Sequence, residues 1–163
     1  MKTTSFVLPL AAGLLLVACA GKAPPAAPPA PPFKPVASII DLMSGQVDPA
    51  ADVLWDSVAT VVGPKGTVEK APKTDKEWAE VRRQAWLLIE GANLMMIEGR
   101  PVAHPGQKLE NAPGPGDLTP EQSEAAIKAD RLRFNAFALA LANAGEQALK
   151  AIEARNIDGM LEA

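Results

Sequence analysis

Twice in this chain a threonine stands three residues ahead of a Glu or Gln and opens a long stretch without interior proline, where apolar residues recur at steps of three and four. That rhythm matches the 3.6-residue turn and predicts a helix with one buried stripe. The first such stretch opens at Thr74-Asp75-Lys76-Glu77, a capping box in which hydroxyl and carboxylate answer each other's orphan amides. Its seam is Trp78, Val81, Ala85, Leu88, Ala92 and Met95, widened by Trp86, Ile89 and Met96, and Gly99 and Pro101 end it. The second opens at Thr119-Pro120-Glu121-Gln122, with proline at the first helical position. Its seam runs Ile127, Phe134, Phe137, Leu141, Ala144 and Ala148, Asp130 takes one seam position, and Leu132, Leu139, Leu149 and Ile152 add apolar surface. Continuous to Arg155, it would be about 54 Å long at ~1.5 Å per residue, and Gly145 is the candidate point for a break or bend.

A third periodic stretch precedes these two. Val36, Ile40, Met43, Val47, Leu54, Val58 and Val61 keep a helical rhythm to Val62, straight through Asp48-Pro49. Either the helix bends where Pro49 cannot bond the Gly45 carbonyl, or it stops at Ser44-Gly45 and a new one starts at Asp48. The bent helix is favoured. Strand signals are absent from this reading: Gly63 to Lys73 is taken as a short turn, and Gly99 to Leu118 as a long, proline-stiffened loop that is either a crossover or a surface feature near a site. After Asn156 a new periodic stretch, Ile157 to Ala163, runs for barely two turns. The expected fold is all-α, an antiparallel helical bundle of three long helices plus the start of a fourth, incomplete at its C-terminus. Three broad apolar faces without a fourth partner leave a groove that calls for a partner, a ligand or a missing piece.

Upstream of this domain the chain reads as an address. Lys2 is followed by an apolar run, Phe6 to Val17, too short to span a bilayer. Leu16-Val17-Ala18-Cys19 closes it and resembles the lipobox of bacterial lipoproteins, in which a thiol receives diacylglycerol before cleavage. The resemblance implies a signal peptide over residues 1–18 and a lipidated Cys19. It also implies a lipid anchor at the periplasmic face of a bacterial membrane, the outer membrane by analogy because residue 20 is Ala. From Lys22 to Pro35 the prolines forbid helix and favour an extended, semi-rigid spacer, so residues 19–35 form the lipidated linker and residues 36–163 the folded domain.

Counting restricts the chemistry. Cys19 is the one cysteine and His104 the one histidine, so neither an internal disulfide nor a His/Cys metal site can form. Removing Lys2 takes the formal charge from −3 to −4, with no basic footprint for nucleic acid. Enzyme signatures are not found. Hydrolase triads need a His beside a nucleophile, and Gly63-Pro64-Lys65-Gly66 lacks the phosphate-loop spacing. The pairs Glu77 with Glu80 and Asp117 with Glu121 sit at helix starts, where carboxylates favour the helix dipole. Arg82-Arg83 and Arg131 with Arg133 read as solvated faces paired with acids, Trp55 and Trp86 as core anchors, and His104 as a solvated loop residue.

The runs Ser38-Ile39-Ile40-Asp41-Leu42-Met43 and Val47 to Val58, with Trp78-Ala79-Glu80-Val81-Arg82-Arg83 and Gly99-Arg100-Pro101-Val102-Ala103, resemble the cytochrome c′-like group. These are class II c-type cytochromes, antiparallel four-helix bundles. The resemblance implies haem c, a role in electron transfer or small-gas binding, a redox partner or homodimer, and Met43 as a lining residue of the haem pocket. The family's Cys-x-x-Cys-His motif is absent from this chain. The expected alternative is a haem-free interaction protein that uses an open apolar groove.

Overall fold

A computed structural model of the protein describes residues 33–64, 66–109 and 114–163. The signal segment, Cys19 and the spacer as far as residue 32 lie outside the described residues.

Helix α3, Asp75–Met95, is the element on which the others are assembled. Its start is the capping box read from sequence: the Thr74 hydroxyl accepts from the Glu77 N–H, and the Glu77 carboxylate accepts from the N–H groups of Thr74 and Lys73. All six seam residues, Trp78 to Met95, are buried. The far end is closed from outside, because the Arg131 guanidinium donates to the carbonyls of Met95, Met96 and Ile97. A cation at a helix C-terminus both caps carbonyls and answers the dipole, so Arg131 serves the fold and is not a solvated partner of an acid.

The first helical run begins with a second capping box, between Ser38 and Asp41. The amides of Ile39 and Ile40 donate to the carbonyls of Pro101 and Val102, which gives partners to two donors a helix start leaves unmet. From α1 (Ile39–Leu42) the chain widens into a π-helical turn, Met43–Val47, where the Asp48 N–H reaches the Met43 carbonyl, and passes directly into α2, Asp48–Ser57. Pro49 carries no N–H, and the wide turn immediately before it absorbs the lost bond without ending the helix. The favoured reading of one run through Pro49 matches this. Its extension to Val62 does not, since Val58 already has extended dihedrals.

Here the all-α expectation fails. Strands β1 (Ala59–Gly63) and β2 (Gly66–Lys70) pair antiparallel, with Val61 opposite Val68 and Gly63 opposite Gly66. Pro64 and Lys65 separate the closing pair, and Gly66 has φ +115°, a conformation open to glycine. Val58 and Val61 fit a helical spacing, but Thr60-Val61-Val62 and Thr67-Val68 are β-branched residues either side of a turn, and that preference wins.

The last long stretch also departs from a plain bundle. It divides at Asp130 (φ −141°, ψ 72°) into α4, Pro120–Ala129, and α5, Arg131–Glu153, and runs unbroken through Gly145. The Asp130 carboxylate accepts from the Arg133 N–H at 3.0 Å, so a seam position became an N-cap. Gly145 instead marks close approach: a Cβ there would lie 2.7 Å from Ile89 Cγ1. Along the middle of α5 the buried residues are therefore small, Ala138, Ala142 and Gly145, Ala151 and Ile152 are buried near its end, and the helix sits against α3. The chain leaves α5 through Arg155 at φ 51°, and α6, Ile157–Leu161, follows with Asn156 as its cap. In place of three long helices and a stub, the described residues form a mainly helical domain with a hairpin, a π turn and a divided third stretch.

Candidate functional site

Helix α3 packs against both α2 and α5, while α2 and α5 make at most slight contact with each other. The space between them is an apolar groove of about 430 Å³. Its floor is Val47, Leu54, Val58 and Leu88, all buried. Half-buried Met43, Ala51, Leu141, Ala144 and Ala148 form the walls. Met160, Leu161 and Ala163, from α6 and just beyond it, border the groove as well. Trp55 stands at the rim with 74% of its surface exposed, and Asp48 is the one charged residue of the lining.

The local sequence explains how each wall arose. The π turn, which carries Met43, directly precedes α2, and Met43, Val47, Ala51, Leu54 and Val58 then share one face of the run. Along the middle of α5 the place against α3 goes to small residues, while Ile152 near its end is buried in the core. Because Ala138, Ala142 and Gly145 take that place, Leu141, Ala144 and Ala148 turn toward the groove, and Phe137 is left 66% exposed. The sequence reading placed these residues in the core seam.

The residues singled out from sequence fall as follows. Met43 lines the groove. Cys19 lies outside the described residues. Trp55 is at the rim and Trp86 is half exposed under the Arg82 guanidinium, so neither anchors the core; buried Trp78 does that. Arg133 lies over the Phe137 ring, Glu80 pairs with Arg83, and the Asp117 carboxylate accepts from the Gly114 N–H. Sequence reasoning missed Trp55, Ala144, Ala148 and Leu161 as groove residues. Asp48 and Asp52, seven and three residues before Trp55 and so on its helical face, were the available signal that this tryptophan faces outward.

His104 is not a simple solvated side chain. Its Nε2 lies 3.0 Å from Asp41 Oδ2, and its backbone N–H donates to Gln107 Oε1. Gln107 also accepts from the Ser38 hydroxyl and donates to Asp41 Oδ1. The Ser38 N–H and then the Ser38 hydroxyl hold the Asp41 carboxyl below its ordinary value. This cluster ties the long loop to the start of α1. Arg100 reinforces it, buried and donating to the Leu94 and Ala37 carbonyls, with its pKa lowered by that burial. Glu124 of α4 accepts from the Val102 N–H at 2.7 Å, and that bond lowers its pKa. The loop from Gly99 to Gln107 is a structural splice.

Comparison with protein-family models, with curated proteins and with solved structures finds no match to this chain. The cytochrome c′ resemblance therefore rests on the residues quoted for it. Those residues do not fit haem c. Covalent attachment takes two thiols and an axial imidazole, whereas the groove lining holds neither Cys nor His, and His104 is engaged by Asp41. The lining offers two thioethers, Met43 and Met160, and no thiol or imidazole. Among the described residues, no group of three or more His, Cys, Asp or Glu is placed to hold a metal ion, and no helix is long and apolar enough to cross a membrane.

Proposed function

We propose that this chain is an exported, lipid-anchored docking protein, held through Cys19 at the periplasmic face of a bacterial outer membrane, whose groove receives the apolar face of a partner helix. The observation that carries the reading is the groove itself: α2 and α5 are both seated on α3 yet stand apart, with an apolar floor and an exposed tryptophan at the rim. Apolar surface of that extent, bordered by polar residues, marks interaction sites. The proline-rich sequence of residues 22–35 supports the same reading, because such a composition favours an extended spacer between an anchor and a domain.

One observation favours a second reading. Met43, a side chain of the type that ligates haem iron, lines the groove, in keeping with an electron-transfer protein resembling cytochrome c′. An absorption spectrum of the lipoprotein extracted from its membrane decides between the two. The docking reading expects no Soret band and a blue shift of the neutral dye Nile red. That shift is lost when Ala144 and Ala148 are both replaced by Phe to fill the groove. A Soret band that survives denaturation overturns it in favour of covalent haem. Mass spectrometry of the N-terminal fragment checks the anchor, with diacylglycerol expected on Cys19.

A further inference from the structure

The groove is apolar within, Asp48 is the one charged residue of its lining, and further acids lie on the segments that frame it. The charged residues of α2 are Asp48, Asp52 and Asp56, with no cation among them. Between Leu141 and Leu149, where α5 forms the opposite wall, the one charge is Glu146, and the segment Ile157 to Ala163 carries Asp158 and Glu162. Asp56 lines a separate cavity beside Lys70, and the other five acids, with no Lys or Arg, belong to the segments that frame the groove. The arginines are occupied elsewhere: Arg155 by Asp75 and the Trp78 ring, Arg131 by the end of α3, Arg100 by the loop splice. Among the described residues, no ion pair engages Asp52, Asp158 or Glu162.

Shape narrows the occupant further. From Met43 to Val58 the lining follows one face of the helical run, a length of about 22 Å at ~1.5 Å per residue. A trough that follows a helix face for that length suits about four turns of helix better than a compact molecule. Its apolar floor needs leucine-like anchors at helical spacing, and its rim needs cations beside them.

We infer that the occupant is a basic amphipathic helix, with apolar residues along one face and Lys or Arg along its flanks. The inference rests on the docking reading and specifies the partner that reading leaves open. Trp55 covers one side of the seated helix, and Asp52 on α2 and Glu162 beyond α6 meet its cations.

The test uses the full lipoprotein in nonionic detergent and two fluorescent synthetic helices of about 18 residues. Both carry the same leucine stripe, one flanked by Lys and the other by Glu. The Lys peptide is expected to bind on the order of ten-fold or more tightly than the Glu peptide, with the preference shrinking as salt rises. Charge reversal of the two exposed rim acids, D52K with E162K, is expected to remove that preference while leaving the thermal midpoint in place. Equal binding of both peptides, unmoved by the reversal, overturns the basic partner and leaves the docking reading intact. Failure of both peptides to bind overturns the two together. Binding of a Lys peptide without leucines as tightly as the full probe overturns the inference, because charge alone would then suffice. Self-association in sedimentation that Ala144→Phe abolishes overturns it too, with a second copy as the occupant.

Discussion

Gly145 and Gly45 are both helical glycines, and their surroundings give opposite expectations for the same substitution. A methyl on Gly145 would meet Ile89 Cγ1 at 2.7 Å, on a branched side chain that is itself buried in the core. Nothing lies within 4 Å of a Cβ built on Gly45. Replacing an exposed helical Gly by Ala gains up to about 1 kcal/mol, and overpacking a close contact costs about 1–3 kcal/mol. Gly145→Ala is therefore expected to lower the urea midpoint, because α5 must back away from α3. Gly45→Ala is expected to raise it. A midpoint that rises for both variants would show that the α3–α5 contact has room to spare.

Among the elements, what could be read from sequence depended on which side chains carried the burial. In α3 the buried seam is made of large residues, so periodicity and packing name the same positions. In the middle of α5 the buried residues are Ala138, Ala142 and Gly145, whose small side chains hardly register against Phe137 and Leu141, and the large buried residue, Ile152, comes only near the end. The reading came out one residue off, a rotation of about 100°, and the groove wall was assigned to the core. The same weighting put Trp55 inside and hid the hairpin, where Val61 follows Val58 at a helical step. Met43 lines the groove, although the resemblance offered it as a haem-pocket residue, and the groove itself was expected as an open face without its walls. Asp130, noted as an oddity in the seam, is what divides α4 from α5. Asp130→Ala removes its N-cap bond and is expected to cost ~1 kcal/mol while raising helical circular dichroism slightly as the break heals. Lower stability with no gain in ellipticity would mean that the Glu124–Val102 bond, not Asp130, maintains the break between α4 and α5. The hairpin gives the reverse case. Its residues are exposed apart from half-buried Ala59, so replacing residues 59–70 by a Gly/Ser linker is expected to move stability by no more than about 0.5 kcal/mol. A larger loss in the urea midpoint would assign the hairpin a packing role that its exposure contradicts.

Across the whole molecule, the helix starts share one electrostatic device. Asp41 caps α1, Glu77 caps α3 and Glu121 sits in the first turn of α4, while Glu80 pairs with Arg83 and Glu124 holds the Val102 N–H. All five carboxyls have pKa values below their ordinary ones. For Asp41, Glu77 and Glu124 the first cause is a backbone N–H that the charged form accepts, and for Glu80 it is the Arg83 side chain. A carboxyl depressed in the folded state binds fewer protons than in the unfolded chain between the two pKa values, so stability rises with pH there. The contribution is complete above the ordinary carboxylate range and is lost as pH falls through the folded values. Urea midpoints are therefore expected to stay level from about pH 7 down to about 5 and to drop steeply below about 4. Glu77→Gln separates this cause from general charge repulsion. Glutamine can still accept the capping bond of Thr74 but has no proton to take up, so the variant should fold and show a shallower acid limb. An acid limb as steep as that of the unaltered chain would assign the loss to the net positive charge gained at low pH, not to the release of the helix caps.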